Sequence, residues 1–142
     1  MKSILILILV FVISHTVLSQ ETEKPKPRYD IFAFNREVTL PGTPVQIFDA
    51  ATGDISGWWD HSFTDNPKEF YIEPIPGGGF WEYFDDEGNG VLHARVIYAD
   101  RGKMLRFDGP LGLSGKAIQV VTTYQFEPVG SDSRSRSITT GY

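Results

Sequence analysis

The segment from Glu73 to Glu82 constrains the fold more than any other part of this chain. It reads Glu-Pro-Ile-Pro-Gly-Gly-Gly-Phe-Trp-Glu and lies downstream of the pair Trp58-Trp59. Its prolines and glycines place a sharp chain reversal directly before large apolar side chains, which is how a strand is bent so that a sheet can curve around an interior. The segment therefore predicts a curved sheet with an aromatic inner wall.

Residues 1–19 have the pattern of a cleaved secretory signal. Lys2 supplies a short positive region, and Ile4–Ile13 is an unbroken apolar run. Val17 and Ser19 are small enough for the −3 and −1 positions of a cleavage site. The apolar run is much shorter than the roughly 20 residues that span a bilayer, so a signal is favoured over a membrane anchor. This pattern predicts a secreted or periplasmic protein that has no membrane span after cleavage.

Charge and cysteine content exclude several classes of function. The formal net charge is −5, and it becomes −6 when a leader that contains Lys2 and no acid is removed. An acidic domain with scattered basic residues is a poor binder of nucleic acid. The chain has no cysteine, which excludes disulfides, thiolate catalysis and thiolate metal sites.

The hydrophobic pattern predicts one α+β domain over residues 31–142, after a polar linker at residues 20–30. Thr43 is a suitable N-cap for a first short helix with Pro44 at its first position, and a second short helix is expected at Ile55–Trp59. Residues 129–137 have the composition of a turn region. The expected strands are Ile31–Leu40, Lys68–Glu73, Gly79–Phe84, Val91–Tyr98, Lys103–Asp108, Ala117–Glu127 and Arg136–Tyr142.

The order of these elements resembles the START-like superfamily, also called the Bet v 1-like or SRPBCC fold. The nearest resemblance is to its branch of activator of Hsp90 ATPase homologue-like and polyketide-cyclase-like proteins. It covers about residues 33–141. The motifs that carry it are Thr43–Ala50, Trp58-Trp59, Glu73-Pro74 before Gly77-Gly78, Phe80–Glu82 and Thr122–Phe126.

The resemblance implies a helix-grip architecture, in which a curved antiparallel sheet holds a long C-terminal helix with a ligand cavity between them. The sequence departs from that pattern because no helical periodicity follows Thr122, and the chain stops at Tyr142. We therefore expect a C-terminally truncated domain whose natural gene continues with an amphipathic helix. Without that helix, an uncovered apolar sheet would favour self-association.

Aromatic residues and one histidine are the candidate ligand-binding residues. In this fold a cavity wall and a packed core are the same surface, so both interpretations stay open for them. The candidates are Trp58, Trp59, Phe80, Trp81, Tyr83, His93, Phe107 and Tyr124.

The sequence predicts no catalytic residue, metal site or cofactor. The leading hypothesis is an exported domain that binds a small hydrophobic molecule on the concave face of its sheet. One alternative is a cyclase- or hydratase-type enzyme that uses the same cavity, with His93 or Glu82 as acid or base, although no paired acid and base is evident. The other is an interaction module like the Hsp90 activator, which a secretory signal disfavours. Whether the protein is an enzyme stays open at this point.

Overall fold

The computed structural model describes residues 30–142, apart from the side chains of Ser133 and Ser137. The predicted signal at 1–19 and all but the last residue of the predicted linker at 20–30 lie outside the described residues.

The described residues form one antiparallel sheet of eight strands with a single α-helix against it. The strand order is β1-β8-β7-β6-β5-β4-β3-β2, so β1 and β2 are the edges. One short 3₁₀ helix, Leu111–Leu113, follows β6, and within residues 30–142 no helix is long and apolar enough to cross a bilayer. The elements are β1 Phe32–Pro41, α1 Pro44–Ala50, β2 Gly53–Asp54, β3 Glu69–Ile72, β4 Gly79–Tyr83, β5 Gly90–Asp100, β6 Met104–Asp108, β7 Val120–Val129 and β8 Asp132–Gly141.

All seven predicted strands are present, but the predicted helix at Ile55–Trp59 is wrong. Gly53 has a φ of 71°, which turns the chain so that Gly53 and Asp54 pair with β3 as an extra edge strand. The Asp54 carboxylate then accepts a hydrogen bond from the Ser56 amide. Only one turn follows, in which the amides of Trp58 and Trp59 both donate to the Ile55 carbonyl.

The turn region predicted at 129–137 is also wrong in its extent. The reversal is confined to Gly130 and Ser131, and β8 begins at Asp132. Gly130 adopts a φ of 62°, which allows so short a turn. Strand β8 then pairs along its whole length with β7 on one side and with β1 on the other.

The predicted start of the first helix is confirmed. Thr43 caps α1, with its side chain accepting a hydrogen bond from the Gln46 amide. The Gln46 side chain accepts one in return from the Thr43 amide at 2.8 Å, which completes a capping box. Such reciprocal bonds matter in a helix of only seven residues, because most of its backbone N–H groups have no partner inside the helix.

Two contacts fix α1 over the sheet. Phe48 is buried and packs edge-on against Phe126 of β7, with ring centroids 5.6 Å apart. Arg101 in the β5–β6 turn donates to both Asp49 carboxylate oxygens, at 2.7 and 2.5 Å. Hydrogen bonding to that guanidinium holds the pKa of Asp49 below its usual value of 3.8. The position of α1 therefore depends on one apolar and one ionic contact at its C-terminal half.

The core lies on the concave face of the sheet, where inward side chains of β3 to β7 meet α1. Alternation along each strand brings apolar residues to this one face. Its buried members are Phe48, Ile55, Phe70, Ile72, Phe80, Ala94, Val96, Leu105, Phe107 and Phe126.

The proline–glycine segment forms the predicted bend. Gly77 has a φ of 89°, and its amide donates to the Val96 carbonyl at 2.8 Å. The Glu73 carboxylate accepts a hydrogen bond from the Gly79 amide at 2.7 Å and so closes the turn from within. A register shift between Phe80 and Trp81 adds a bulge directly after it. The bend and the bulge curve β4 around the core.

Removing the helix cap should destabilise the fold measurably. We expect Thr43→Ala to lower the free energy of unfolding by about 1 kcal/mol, because the Gln46 amide loses its acceptor. Thr43→Ser keeps the hydroxyl and should stay close to the wild type. Chemical denaturation of the three proteins makes the comparison, and equal losses in both variants would contradict a role for the cap.

Candidate functional site

A groove of about 620 Å³ opens on the concave face beside the core. It lies where α1 covers the ends of β7 and β8 but leaves the inner face of β1 uncovered. Its lining is mostly apolar and consists of Arg36, Val38, Leu40, Ile47, Ala50, Ala51, Trp58, Trp59, Asp60, Tyr124, Phe126 and Ser135.

The edge strand β1 forms one wall of the groove. Arg36, Val38 and Leu40 are two residues apart and therefore share one face of the strand. Val38 is 45% exposed, although a β-branched apolar side chain is normally covered in a sheet. The groove thus leaves apolar surface uncovered by any of the described residues.

Three of the predicted ligand-binding residues line the groove. Trp58 and Trp59 form one end, where their rings meet edge-on with centroids 6.0 Å apart. Their indole N–H groups donate to the carbonyls of Ala50 and His61, at 3.1 and 2.6 Å, so both rings are held in place. Tyr124 lies in the floor, and burial raises the pKa of its phenol above the usual 10.0.

Phe80 and Phe107 belong to the core beneath the groove. Each is 2% exposed, and their ring centroids are 6.1 Å apart. Phe80 supports the groove through Trp59, whose ring meets it edge-on with centroids 4.8 Å apart. For these two residues the packed-core interpretation fits the structure, and direct contact with a ligand in the groove does not.

Trp81 and Tyr83, also predicted as cavity residues, do not line the groove. They alternate with the buried residues Phe80 and Glu82 and so lie on the opposite face of β4. There their rings stack with centroids 6.1 Å apart, and the Trp81 indole donates to the Glu73 carboxylate at 3.3 Å. Strand alternation predicts that Trp81 and Tyr83 share one face and that Phe80 and Glu82 share the other. The sequence alone does not say which of the two faces is turned inward.

His93 is fully buried and paired with Glu82. Its Nε2 atom lies 3.0 Å from Glu82 Oε2, and neither side chain is exposed. Its Nδ1 atom lies 3.2 Å from the Leu111 carbonyl oxygen, which can only accept. Nδ1 therefore donates to that carbonyl, and Nε2 faces the Glu82 carboxylate.

Glu82 also ties a loop to the sheet. Its Oε1 atom accepts a hydrogen bond from the Phe63 amide at 2.9 Å and lies 2.6 Å from Ser62 Oγ. Residues 60–67 are thereby attached to β4, while His93 attaches the segment that follows β6 through Leu111. No paired acid and base is evident in the sequence, whereas the structure brings Glu82 and His93 together as a closed tether between two loops.

A smaller polar pocket of about 420 Å³ lies on the other side of Trp59. Ser62 and Asp60 line it, and Ser62 is its only lining residue that hydrogen-bonds Glu82. The groove is the larger and more apolar of the two sites.

Within residues 30–142 no cluster of three or more histidine, cysteine or carboxylate side chains is arranged to hold a metal ion.

Sequence reasoning missed most of the groove lining, including Val38, Leu40 and Ile47. The alternation of β1 was read correctly, and it is the signal that could have identified the first two. Glu82 occupies an inward position of its strand, and a buried carboxylate requires a polar partner. That requirement is the signal that could have identified the pair with His93.

Several solved protein structures are similar to this fold. No family model matches the chain, and no curated protein matches it. A protein of Mesorhizobium loti is 17% identical, covering 78% of this chain and 77% of its own, with a TM-score of 0.58. A protein of Rhodobacter sphaeroides is 21% identical, over 78% and 77% of the two chains, with a TM-score of 0.53. Ara h 8.0201, of the Bet v 1 family, is 16% identical over 80% and 78%, also with a TM-score of 0.53.

The fold is Bet v 1-like. At these identities the likeness establishes the fold alone. It bears out the predicted Bet v 1-like α+β fold, a sheet with a helix against it, whereas only the first of the two predicted short N-terminal helices is present. In this Bet v 1-like sheet the groove occupies the concave face.

Truncating Glu82 should destabilise the protein strongly. We expect Glu82→Ala to cost about 3–5 kcal/mol, because His93 loses its partner and the Phe63 amide loses its acceptor inside the protein. Denaturant unfolding measures the loss, with Glu127→Ala, an exposed position on β7, as the matched control within about 0.5 kcal/mol of the wild type.

If Glu82→Ala proves too unstable, Glu82→Gln tests the same tether. Hydrogen exchange of the Phe63 amide should accelerate in that variant, because a neutral amide is a weaker acceptor than a carboxylate. A Glu82→Ala protein within about 1 kcal/mol of the wild type would contradict the tether.

Proposed function

We propose that this protein binds a small hydrophobic molecule in the groove between β1, α1 and the Trp58-Trp59 pair. The observation that carries the proposal is the groove itself, an apolar concavity of about 620 Å³. Ligand pockets typically enclose roughly 300–1,000 Å³ and are lined by apolar and aromatic side chains with a few polar groups. The groove has this size and this lining.

The driving force would be apolar burial. Each Å² of apolar surface removed from water contributes about 25 cal/mol, and both the ligand and the uncovered side of β1 would gain from it. Trp58 and Trp59 suit the role of anchors, since their indoles are already fixed by hydrogen bonds to backbone carbonyls. A preordered wall loses little conformational entropy when a ligand binds.

Binding without turnover is favoured over the cyclase or hydratase alternative. That enzyme would use His93 or Glu82 as acid or base, and a general acid or base must come within hydrogen-bond reach of its substrate. Both side chains are fully buried and occupied with each other, with Ser62, with the Phe63 amide and with Leu111. Turnover that is abolished by His93→Ala in a variant shown to be folded would favour the enzyme instead.

Two finer assignments form part of the same proposal. One is the branch of activator of Hsp90 ATPase homologue-like and polyketide-cyclase-like proteins, supported by the order of the motifs from Thr43 to Phe126. The other is export, supported by the apolar run behind Lys2. Export would separate the protein from a cytosolic chaperone, so it also argues against the interaction-module alternative.

Filling the groove should weaken binding of a neutral apolar dye. Ala50 is exposed and lines the groove, so Ala50→Phe occupies its volume without removing a core contact. We expect Nile red to bind the wild type and to bind Ala50→Phe at least about tenfold more weakly, a change of about 1.4 kcal/mol. Dye fluorescence titration makes the measurement.

The matched control is Ala33→Phe, the same substitution at an exposed position of β1 that the groove does not include. It should bind the dye as the wild type does. Equal affinity in the wild type and in Ala50→Phe would contradict binding in the groove, as would the absence of any dye binding.

Export should be visible at the N-terminus of the natural protein. We expect N-terminal sequencing of the protein from its host to begin near Gln20, because Val17 and Ser19 satisfy the cleavage pattern. Recovery of the chain from the cytoplasm with Met1 intact would contradict export and reopen the chaperone alternative.

A further inference from the structure

One row across the sheet places two hydrogen-bond donors in the apolar groove. Position 137 of β8 lies directly opposite Arg36 of β1 on one side and directly opposite Tyr124 of β7 on the other. Residues directly opposite each other in antiparallel strands point to the same face. Arg36 and Tyr124 therefore both face the groove, two strand spacings or roughly 10 Å apart at their backbones.

Neither donor has a partner within the part of the chain that the structure describes. No acid lies within ion-pair distance of Arg36 there, and the Tyr124 hydroxyl makes no hydrogen bond to another described residue. The raised pKa of the Tyr124 phenol keeps its proton on the oxygen at neutral pH. Both groups can therefore donate to a ligand between them.

The neighbouring arginines on the opposite face behave differently. Glu37 lies between Arg134 and Arg136, with its oxygens 2.9 Å from Arg134 Nε and 3.2 Å from Arg136 NH2. The hydrogen bond comes from another Arg136 atom, Nε, which donates to Glu37 Oε2 at 3.2 Å, whereas Arg134 Nε makes none. The single acid of β1 thus lies with the two arginines on the convex face, and no described acid comes within ion-pair distance of the Arg36 guanidinium on the concave face.

The next row along the groove has apolar side chains on both sides of one serine. Val38 and Phe126 lie on either side of Ser135, and all three line the groove. A ligand that reached Arg36 and Tyr124 with one end would lay the rest of its length over Val38 and Phe126 toward α1. The order of rows calls for a molecule with an apolar body and a compact anionic end.

We infer that the groove takes an apolar carboxylic acid, with its carboxylate held between the Arg36 guanidinium and the Tyr124 hydroxyl. A carboxylate offers two acceptor oxygens, which matches the planar fork of arginine and leaves capacity for the phenol. The inference rests on the proposed function, because it names the class of ligand for the same groove.

The net charge of the protein opposes binding of an anion. The formal net charge is −5, so long-range attraction favours cations. Asp60 also lines the groove and would favour an amine instead. A preference for an anion must therefore come from the local donors on β1 and β7.

Three probes with one body and different ends test the inference: decanoate, decanol and decylammonium, each titrated against Nile red in the full chain. We expect decanoate to displace the dye at about tenfold lower concentration than decanol, as a charge-assisted pair implies. Arg36→Gln should bring decanoate to the level of decanol, and Tyr124→Phe should weaken decanoate by about threefold to tenfold without changing decanol.

The matched control is Arg136→Gln. It removes the same charge from β8, next to the position that pairs with Arg36, but on the opposite face of the sheet. It should leave the affinities for all three probes within about twofold of the wild type. Equal displacement by the three probes, or tightest displacement by decylammonium, would overturn the carboxylate inference while leaving an apolar groove ligand standing. No displacement by any probe, together with no dye binding, would overturn the proposed function as well.

Discussion

A sheet that buries one face requires apolar side chains at every second position, and the rest of this structure depends on how that face is covered. Inward residues of β3 to β7 meet one another, Ile55 and α1, and they form a closed core. The helix has only seven residues and covers the ends of β7 and β8. Strand β1 presents the same inward alternation with no described element over it. The groove follows from this mismatch between a wide sheet and a short helix.

The buried Glu82–His93 pair shows how hydrogen bonds offset the cost of burying polar groups in the core. A carboxylate and an imidazole with no exposed surface are tolerated because almost every polar atom of the pair has a partner, from the Phe63 amide to the Leu111 carbonyl. Removing one partner would leave the other unsatisfied, so the pair holds two loops in a single arrangement. It also fixes the surroundings of Trp59, whose ring lies 6.2 Å from that of His93 between centroids. The polar tether therefore supports the apolar end of the groove.

The sequence predicted the sheet well because strand alternation and turn chemistry are local. Thr43-Pro44, the bend around Gly77 and each of the seven strands could be read from neighbouring residues. The helix at Ile55–Trp59 could not be excluded locally, since pairing of Gly53 and Asp54 with a strand about twenty residues away decides it. The site was predicted in part: Trp58, Trp59 and Tyr124 line the groove, whereas the facing of Trp81 and the contact of Glu82 with His93 depend on register and on a bulge that no local pattern encodes.

The three tryptophans provide the most direct test of a ligand groove on the concave face. Trp58 and Trp59 line the groove, and Trp81 lies on the opposite face of the sheet, so one protein contains both probe and control. Their indole N–H groups give separate signals in a nitrogen-15 NMR spectrum. Titration with decanol should shift the signals of Trp58 and Trp59 and leave that of Trp81 in place. A shift confined to Trp81, or no shift at saturating decanol, would contradict a ligand site in this groove.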